Sequence, residues 1–124
     1  MAIIEFYEHN GKSELVENLE KLRKDSIKNK DVRIQYKQIC LYIELLQING
    51  NHLPEIISKY LEKEIWELRP GVNRIFYFNY LKDIFVLLHM FRKKSQKTPR
   101  RELEKALKEK DMYKEKRDKH ENLE

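Results

Sequence analysis

Residues 65–92 read IWELRPGVNRIFYFNYLKDIFVLLHMFR, and their pattern of β-prone runs and turns predicts the fold. It contains three runs rich in β-branched and aromatic residues, IWELR, NRIFYFNY and IFVLLHMFR, separated by Pro70-Gly71 and by Lys82-Asp83. Short β-prone runs joined by tight turns are typical of antiparallel strands connected in chain order. The stretch therefore predicts a three-stranded antiparallel meander whose apolar face needs a cover.

Two helices are predicted ahead of the meander. Ser13 is a candidate N-cap for the first, which extends to about Asn29, and Asp31 is a candidate N-cap for the second. The second helix ends at the Asn-Gly-Asn sequence of residues 49–51. Both carry apolar residues at helical spacing, namely Leu15, Leu19 and Leu22, then Val32, Tyr36, Ile39, Ile43 and Leu46. These stripes predict a helical hairpin that packs against the meander.

The remaining segments complete the predicted order. Residues 2–6 (AIIEF) predict an opening strand, and residues 53–54 (Leu-Pro) open a connector in which a short helical turn can form. Pro99 is at a favourable first-turn position for a closing helix from Arg101 to about Lys116, with the inner stripe Leu103, Ala106 and Leu107. The predicted fold is α+β, in the order β-α-α-β-β-β-α, with the closing helix at the C-terminus.

Charge is distributed unevenly along the chain. The 124 residues carry a net charge of +5, and 38% of them are charged, which suits a single folded domain of residues 1–124. Residues 1–65 hold 10 basic and 11 acidic residues, whereas residues 66–124 hold 16 basic and 10 acidic. In residues 66–101, nine basic residues accompany only two acidic ones. A positive field confined to one part of a domain indicates a polyanionic partner.

Simple features exclude several classes of protein. The N-terminal sequence has no basic segment leading into an apolar run, so no signal peptide is predicted. The longest apolar run, residues 84–91, is far shorter than the roughly 20 residues that span a bilayer. Cys40 is the single cysteine, so neither a disulfide nor a zinc cluster is predicted, and a cytoplasmic location is expected. The final residues, Leu123 and Glu124, resemble a cloning remnant and enter no prediction.

Side-chain alternation predicts a shared face for the charged residues of the meander. Arg69 and Arg74 flank a four-residue turn, so a tight hairpin places them near each other. If the faces of the three strands coincide, the sheet displays together Glu67, Arg69, Arg74, His89 and Lys93, with Lys94 and Lys97 at the rim. The candidate RNA-binding residues beside this group are Arg92, Lys97, Arg100 and Arg101. A single β-bulge would change the arrangement.

Such a group suits phosphodiester cleavage by a neighbouring 2′-hydroxyl. The reaction needs in-line positioning, removal of the hydroxyl proton, stabilisation of charge on the phosphoryl oxygens and protonation of the leaving oxygen. Arginine offers phosphate a planar, bidentate donor array, and lysine adds mobile positive charge. One donor placed where charge develops contributed about 2.7–4 kcal/mol in a studied enzyme. Glu67 or His89 could move the protons.

Each of these residues also has a structural interpretation. Basic clusters are often solvated surface, and the alternating charges of residues 108–119 are most simply an exposed helix face. A histidine in an apolar strand, such as His89, is more often a hydrogen-bonded core residue than a catalyst. Glu67 can simply pair with Arg69 or Arg74. The aromatic residues within 76–80 are expected to pack in the core rather than to stack on bases.

Three segments together resemble the RelE superfamily of bacterial toxins: WELR at 66–69, NRIFYF at 73–78 and LLHMFRKKSQKTPRRELEKA at 87–106. The resemblance covers roughly residues 57–113 and is closest to the HigB-type branch, described as phage-derived or RelE/ParE-like. It implies a RelE-like fold and the toxin of a type II toxin–antitoxin system, an endoribonuclease that cuts mRNA in the ribosomal A site. It further implies a helix-turn-helix antitoxin, HigA-like, and cleavage without a metal or other cofactor.

The resemblance also assigns roles to individual residues. Arg74 matches the strand arginine that the family uses at the scissile phosphate, and Arg69 closes the preceding strand as in relatives. Lys93 or Lys94 lies in the region of the second catalytic cation. These assignments imply that the basic face of the meander is the catalytic surface.

Two departures from the family pattern leave the general base open. RelE has two lysines on the strand before the turn, where this chain has Ile65 and Glu67. RelE also has a tyrosine after the last strand that has no counterpart near residues 98–99. The remaining candidates for the base are Glu67, His89 and Lys97.

Two other functions stay open from the sequence. A non-enzymatic inhibitor of gyrase, like the ParE relatives, needs a docking surface and no cations aligned on phosphate. A plain nucleic-acid-binding module would use the basic residues for phosphates alone, and its affinity would fall steeply with salt.

Overall fold

A computed structural model describes residues 1–122, and Leu123 and Glu124 lie outside the described residues. The elements in chain order are β1 (Ile3–Phe6), α1 (Glu14–Asp25), α2 (Lys30–Asn49), β2 (Ser58–Glu62), β3 (Ile65–Leu68), β4 (Asn73–Tyr80), β5 (Ile84–Arg92) and α3 (Arg100–Asn122). The α+β class is confirmed. No helix within residues 1–122 is long and apolar enough to cross a membrane.

The strands form one five-stranded mixed sheet in the order β1-β5-β4-β3-β2. Strands β2 to β5 follow one another as an antiparallel meander, and β1 lies parallel to β5 at the edge. The predicted three-strand meander of β3, β4 and β5 is confirmed, as is the opening strand. The meander, however, has one strand more than the sequence predicted.

The extra strand, β2, corrects the predicted order β-α-α-β-β-β-α. The connector was expected to contain a short helical turn, but its second half pairs with β3, with Lys59 opposite Glu67. Lys63 and Glu64 make the connection, with φ values of 49° and 73°. Two-residue hairpin turns with positive φ usually carry asparagine, aspartate or glycine, so Lys-Glu gave no turn signal.

Two helix boundaries near residues 25–31 also differ from the prediction. Helix α1 ends at Asp25 rather than near Asn29. Asn29 is itself the N-cap of α2, because its side chain accepts a hydrogen bond from the backbone N–H of Val32 at 3.2 Å. Asp31 therefore lies in the first turn, where a negative charge still favours the helix. The predicted cap at Ser13 is confirmed.

The sheet separates two apolar cores. Helices α1 and α2 cover one face, where the buried sheet residues are Leu68, Ile75, Tyr77, Phe85 and Leu87. Helix α3 covers the opposite face, where they are Ile65, Phe76, Phe78, Tyr80, Val86, Leu88 and Phe91. The predicted inner stripe of α3 is confirmed, although the helix begins at Arg100 and continues to Asn122. The central strand β4 is thus buried on both sides.

Tyr77 generates a testable prediction for stability at high pH. Its hydroxyl is buried, 2.5 Å from that of Ser58, and burial raises the pKa of Tyr77 from 10.0 to about 12. The folded state holds the hydroxyl proton of Tyr77 more tightly than the unfolded chain does. The contribution of this proton to the stability of the fold is therefore complete below pH 10 and is lost as the pH rises towards about 12. The free energy of unfolding should fall by about 1.4 kcal/mol for each pH unit between the unfolded-state pKa of 10.0 and the folded-state pKa of about 12.

Tyr77→Phe should therefore remove this part of the alkaline loss, which denaturant unfolding at neutral and alkaline pH measures. The matched control is Tyr60→Phe, because Tyr60 is half exposed and should leave the pH dependence unchanged. An equal alkaline loss in the wild type and in Tyr77→Phe would contradict the assignment.

Candidate active site

A small hollow lies where β3 and β4 meet the segment that follows β5. The residues that matter for its chemistry are Glu67, Arg69, Arg74, Lys93, Lys97 and Thr98, and we call them the basic hollow. Its volume is about 20 Å³, which is room for about one water molecule. Of the five side chains predicted to share a face, all but His89 line this hollow, and of the two predicted at the rim, Lys97 lines it and Lys94 does not.

The turn between β3 and β4 brings the two arginines together. Gly71 has a φ of +60°, a conformation that favours glycine, and the backbone N–H of Asn73 donates to the carbonyl of Pro70 at 3.0 Å. The backbone of Lys93 joins the same turn by donating to the carbonyl of Val72 at 2.7 Å. The turn thus fixes the end of β5 beside the ends of β3 and β4.

Glu67 lies at the centre of the basic hollow and is only 3% exposed. Its Oε1 is 3.4 Å from the Nε of Arg69 and 3.8 Å from the Nε of Arg74. Its Oε2 accepts a hydrogen bond from the Thr98 hydroxyl at 3.2 Å. The expected pairing of Glu67 with an arginine is confirmed, and it involves both arginines at once.

Arg74 is 7% exposed and is held by the backbone of the turn. Its Nη1 donates to the carbonyls of Gly71 at 2.7 Å and Asn73 at 2.8 Å. Burial lowers the pKa of the Arg74 guanidinium; Glu67 opposes this effect and Arg69 adds to it. The guanidinium remains protonated at neutral pH because its ordinary pKa is so high.

Arg69 differs from Arg74 in having its side chain 25% exposed. Its Nη1 donates to the backbone carbonyl of Glu55 at 3.3 Å, which connects the basic hollow to the segment before β2. Its Nε is buried without a hydrogen bond among the described residues, although it lies within ion-pair distance of Glu67. Arg69 therefore offers the more accessible guanidinium.

The other predicted cations divide into two groups. Lys93 is half-buried and Lys97 is exposed, and both line the basic hollow. The four other predicted cations are exposed and do not line the basic hollow; they are Arg92, Lys94, Arg100 and Arg101. Arg100 forms ion pairs with Glu62 at 2.8 Å and with Glu104 at 3.6 Å, so it bridges β2 and α3.

His89 lies outside the basic hollow, beneath α3. It is 1% exposed; its Nδ1 is 2.5 Å from Oε1 of Glu109, and its Nε2 is 3.3 Å from Oε1 of Glu102. A register shift between β4 and β5 lets both Leu88 and His89 lie opposite Phe76. His89 is therefore a buried, hydrogen-bonded histidine, which was the structural interpretation given for it above.

Sequence reasoning missed three residues of these two clusters. Thr98 touches the buried carboxylate of Glu67, yet a threonine before a proline gave no sign of that contact. Glu102 and Glu109 hold His89 from α3. They are seven residues apart and so share one side of α3, but this spacing alone does not show which distant residue they contact.

A larger cavity of about 750 Å³ lies elsewhere, between the segment after β1 and the C-terminal half of α3. Its charged groups largely engage one another: Glu5 accepts hydrogen bonds from the Tyr113 hydroxyl at 2.9 Å and from Nη1 of Arg117 at 3.2 Å. Burial, with the nearby Glu5 carboxylate, raises the pKa of Tyr113. None of the predicted site residues lines this cavity.

The basic hollow suits an anion at its mouth. One buried carboxylate is set against two guanidiniums and two lysines, so the net charge is positive. Because the interior has room for about one water, a phosphodiester in this conformation would bind at the mouth, beside Arg69, Lys93 and Lys97. Binding deeper would require movement of Thr98 or of its neighbours.

Comparison with known proteins identifies a family. Residues 25–111 match the family model described as phage derived protein Gp49-like (DUF891), a family associated with RelE-type toxins. No curated protein matches the chain. The matched residues include every residue of the basic hollow and more than half of the chain. The chain therefore belongs to the Gp49-like family of phage-derived proteins.

Proposed function

We propose that this protein is a HigB-type toxin of a type II toxin–antitoxin system, with a RelE-like fold. Its activity would be ribosome-dependent, metal-independent cleavage of mRNA, in which a 2′-hydroxyl attacks the adjacent phosphate. The observation that carries the proposal is the convergence of Arg69, Arg74, Lys93 and Lys97 around the buried carboxylate of Glu67. Membership of a family associated with RelE-type toxins supports it.

Phosphate binding is the first task of the proposed site. Arg69 and the two lysines supply donors at the mouth, where positive charge stabilises the extra negative charge of the phosphoryl oxygens. Arg74 lies deeper. The role at the scissile phosphate that the resemblance implies for it requires the phosphate to replace the backbone carbonyls that now accept from its Nη1.

Proton transfer is the second task. Glu67 is the general base that we favour, because displacement of the Thr98 hydroxyl frees its Oε2 to accept a proton. Lys97, at the mouth, is then the candidate donor to the leaving oxygen. His89 is disfavoured, because both of its ring nitrogens already face carboxylates of α3.

The proposed partners follow from this activity. The substrate would be mRNA on the ribosome, in the cytoplasm, and the excess of basic residues in 66–101 would draw the chain to this polyanion. A helix-turn-helix antitoxin of the HigA type would neutralise the toxin. Sequencing the neighbouring reading frame is the simplest check on this partner.

The accessible cations give the cleanest test of the proposal. Arg69→Ala and Lys93→Ala should each lower transcript cleavage by about 10²-fold or more, because each removes a donor to the developing charge. The measurement is mapping of transcript ends after induction in cells. Arg74→Ala is less clean, because it also removes two hydrogen bonds from the turn.

The matched control is Lys21→Ala, an exposed charge on α1. It should cut transcripts as the wild type does. Growth arrest with intact transcripts would contradict the nuclease proposal, and a supercoiling assay would then test the ParE-like alternative. Salt-sensitive RNA binding without cleavage, with ribosomes present, would instead indicate a plain nucleic-acid-binding module.

A second prediction separates Glu67 from His89 as the general base. Glu67→Gln keeps the shape and an acceptor for Thr98 but cannot take a proton, so cleavage should fall by about 10²–10⁴-fold. RNA binding should not weaken, because a negative charge has been removed from the basic hollow. Cleavage by purified protein on programmed ribosomes, together with a binding assay, measures both quantities.

His89→Gln is the companion variant. It disturbs the contacts with Glu102 and Glu109, so it should lower the stability of the fold while the remaining folded protein still cleaves. An active Glu67→Gln with an inactive but folded His89→Gln would reverse the assignment of the base.

A further inference from the structure

Helix α2 carries an apolar stripe on its outer side. Ile34, Leu41 and Ile48 are 54%, 49% and 54% exposed. They are spaced seven residues apart, so successive members are displaced by only about 20° around the helix. The opposite side of the helix, with Ile39 and Leu46, is fully buried against the sheet. The three residues of the outer stripe are therefore exposed apolar side chains that the core does not use.

The stripe is symmetric about its central residue. Ile34 precedes Leu41 by seven residues and Ile48 follows it by seven. If a second copy of the helix lies antiparallel across it, Leu41 meets Leu41, and Ile34 of one copy meets Ile48 of the other. A two-fold axis through the centre thus places apolar residues against apolar residues along the whole stripe.

The flanking charges have the same symmetry. Lys37 and Glu44 lie on one side of the stripe, roughly 40° and 60° from Leu41 around the helix. A two-fold rotation keeps them on that side but reverses their order along the axis, so each Lys37 meets Glu44 of the other copy. Both side chains are exposed, and neither takes part in an ion pair among the described side chains of residues 1–119.

We propose that this face of α2 is a two-fold interface with a second copy of this chain. Self-complementarity of both the stripe and the two charges favours a copy over an unrelated helix, for which no such symmetry is required. The basic hollow opens on the α3 side of the sheet, although the turn beside it contacts α2, where Asn73 donates to Gln35 and Gly71 lies against Gln38. The proposal of a dimer does not use the proposed nuclease activity.

The interface is small. Helix α2 has 20 residues and is about 30 Å long, and one helix pair buries less than the about 800 Å² per partner of a standard interface. The dimer should therefore be in exchange with the monomer, and its fraction should rise with protein concentration. Moderate salt should weaken it, because exposed ion pairs are screened.

Sedimentation velocity of the full chain over a range of concentrations tests the proposal. Leu41→Glu places two carboxylates at the centre of the apolar contact and should raise the dimer Kd more than about tenfold. Lys37→Glu sets like charges against each other at two places and should raise the Kd about tenfold. The double variant Lys37→Glu with Glu44→Lys restores both pairs, so its Kd should return to near the wild-type value.

The control variant is Lys108→Glu, the same charge change at an exposed position of α3, which should leave the Kd unchanged. Circular dichroism and urea unfolding verify that each variant is folded. A wild-type protein that is monomeric at all concentrations would overturn the proposal. The same holds if the stripe binds only a different protein and never a second copy of this chain. A dimer insensitive to Leu41→Glu, or a double variant that fails to recover, would also overturn it.

Discussion

The buried carboxylate of Glu67 is the constraint on which the organisation of the basic hollow depends. A carboxyl group that is 3% exposed is costly to bury unless opposite charges and hydrogen bonds compensate it. Arg69, Arg74 and Thr98 provide that compensation from three different segments. The three segments therefore meet at Glu67, and Lys93 and Lys97 add positive charge at the mouth of the basic hollow.

The double-sided burial of the sheet explains why this cluster can be so well fixed. Strand β4 has apolar partners on both faces, with Ile75 and Tyr77 towards the helical hairpin and Phe76 and Phe78 towards α3. Its N-terminal end, where Arg74 lies, is consequently anchored on both sides. The two faces of the sheet also differ in what they carry. The basic hollow opens on the face that α3 covers, and the outer side of α2, on the other face, is exposed to solvent.

Much of the fold could be predicted from local signals, and the misses have specific causes. The aromatic and β-branched runs predicted β4 and β5 because their side chains suit a buried pleated surface. Strand β2 was missed because its turn, Lys63-Glu64, uses positive φ without glycine or asparagine. At the site, strand alternation and the short turn anticipated that Arg69, Arg74 and Glu67 converge. The sequence could not show that α3 holds His89, because that contact depends on how distant segments pack.

The chemical nature of the cut ends of mRNA distinguishes attack by a 2′-hydroxyl from other routes of cleavage. Attack of a 2′-hydroxyl on the adjacent phosphorus expels the 5′-oxygen, so the fragments should end in a 2′,3′-cyclic phosphate and begin with a 5′-hydroxyl. Purified protein incubated with programmed ribosomes should yield these ends whether or not the protein has been treated with a chelator beforehand. Fragments that begin with a 5′-phosphate, or mRNA that stays intact, would contradict the claim that the basic hollow is a nuclease site.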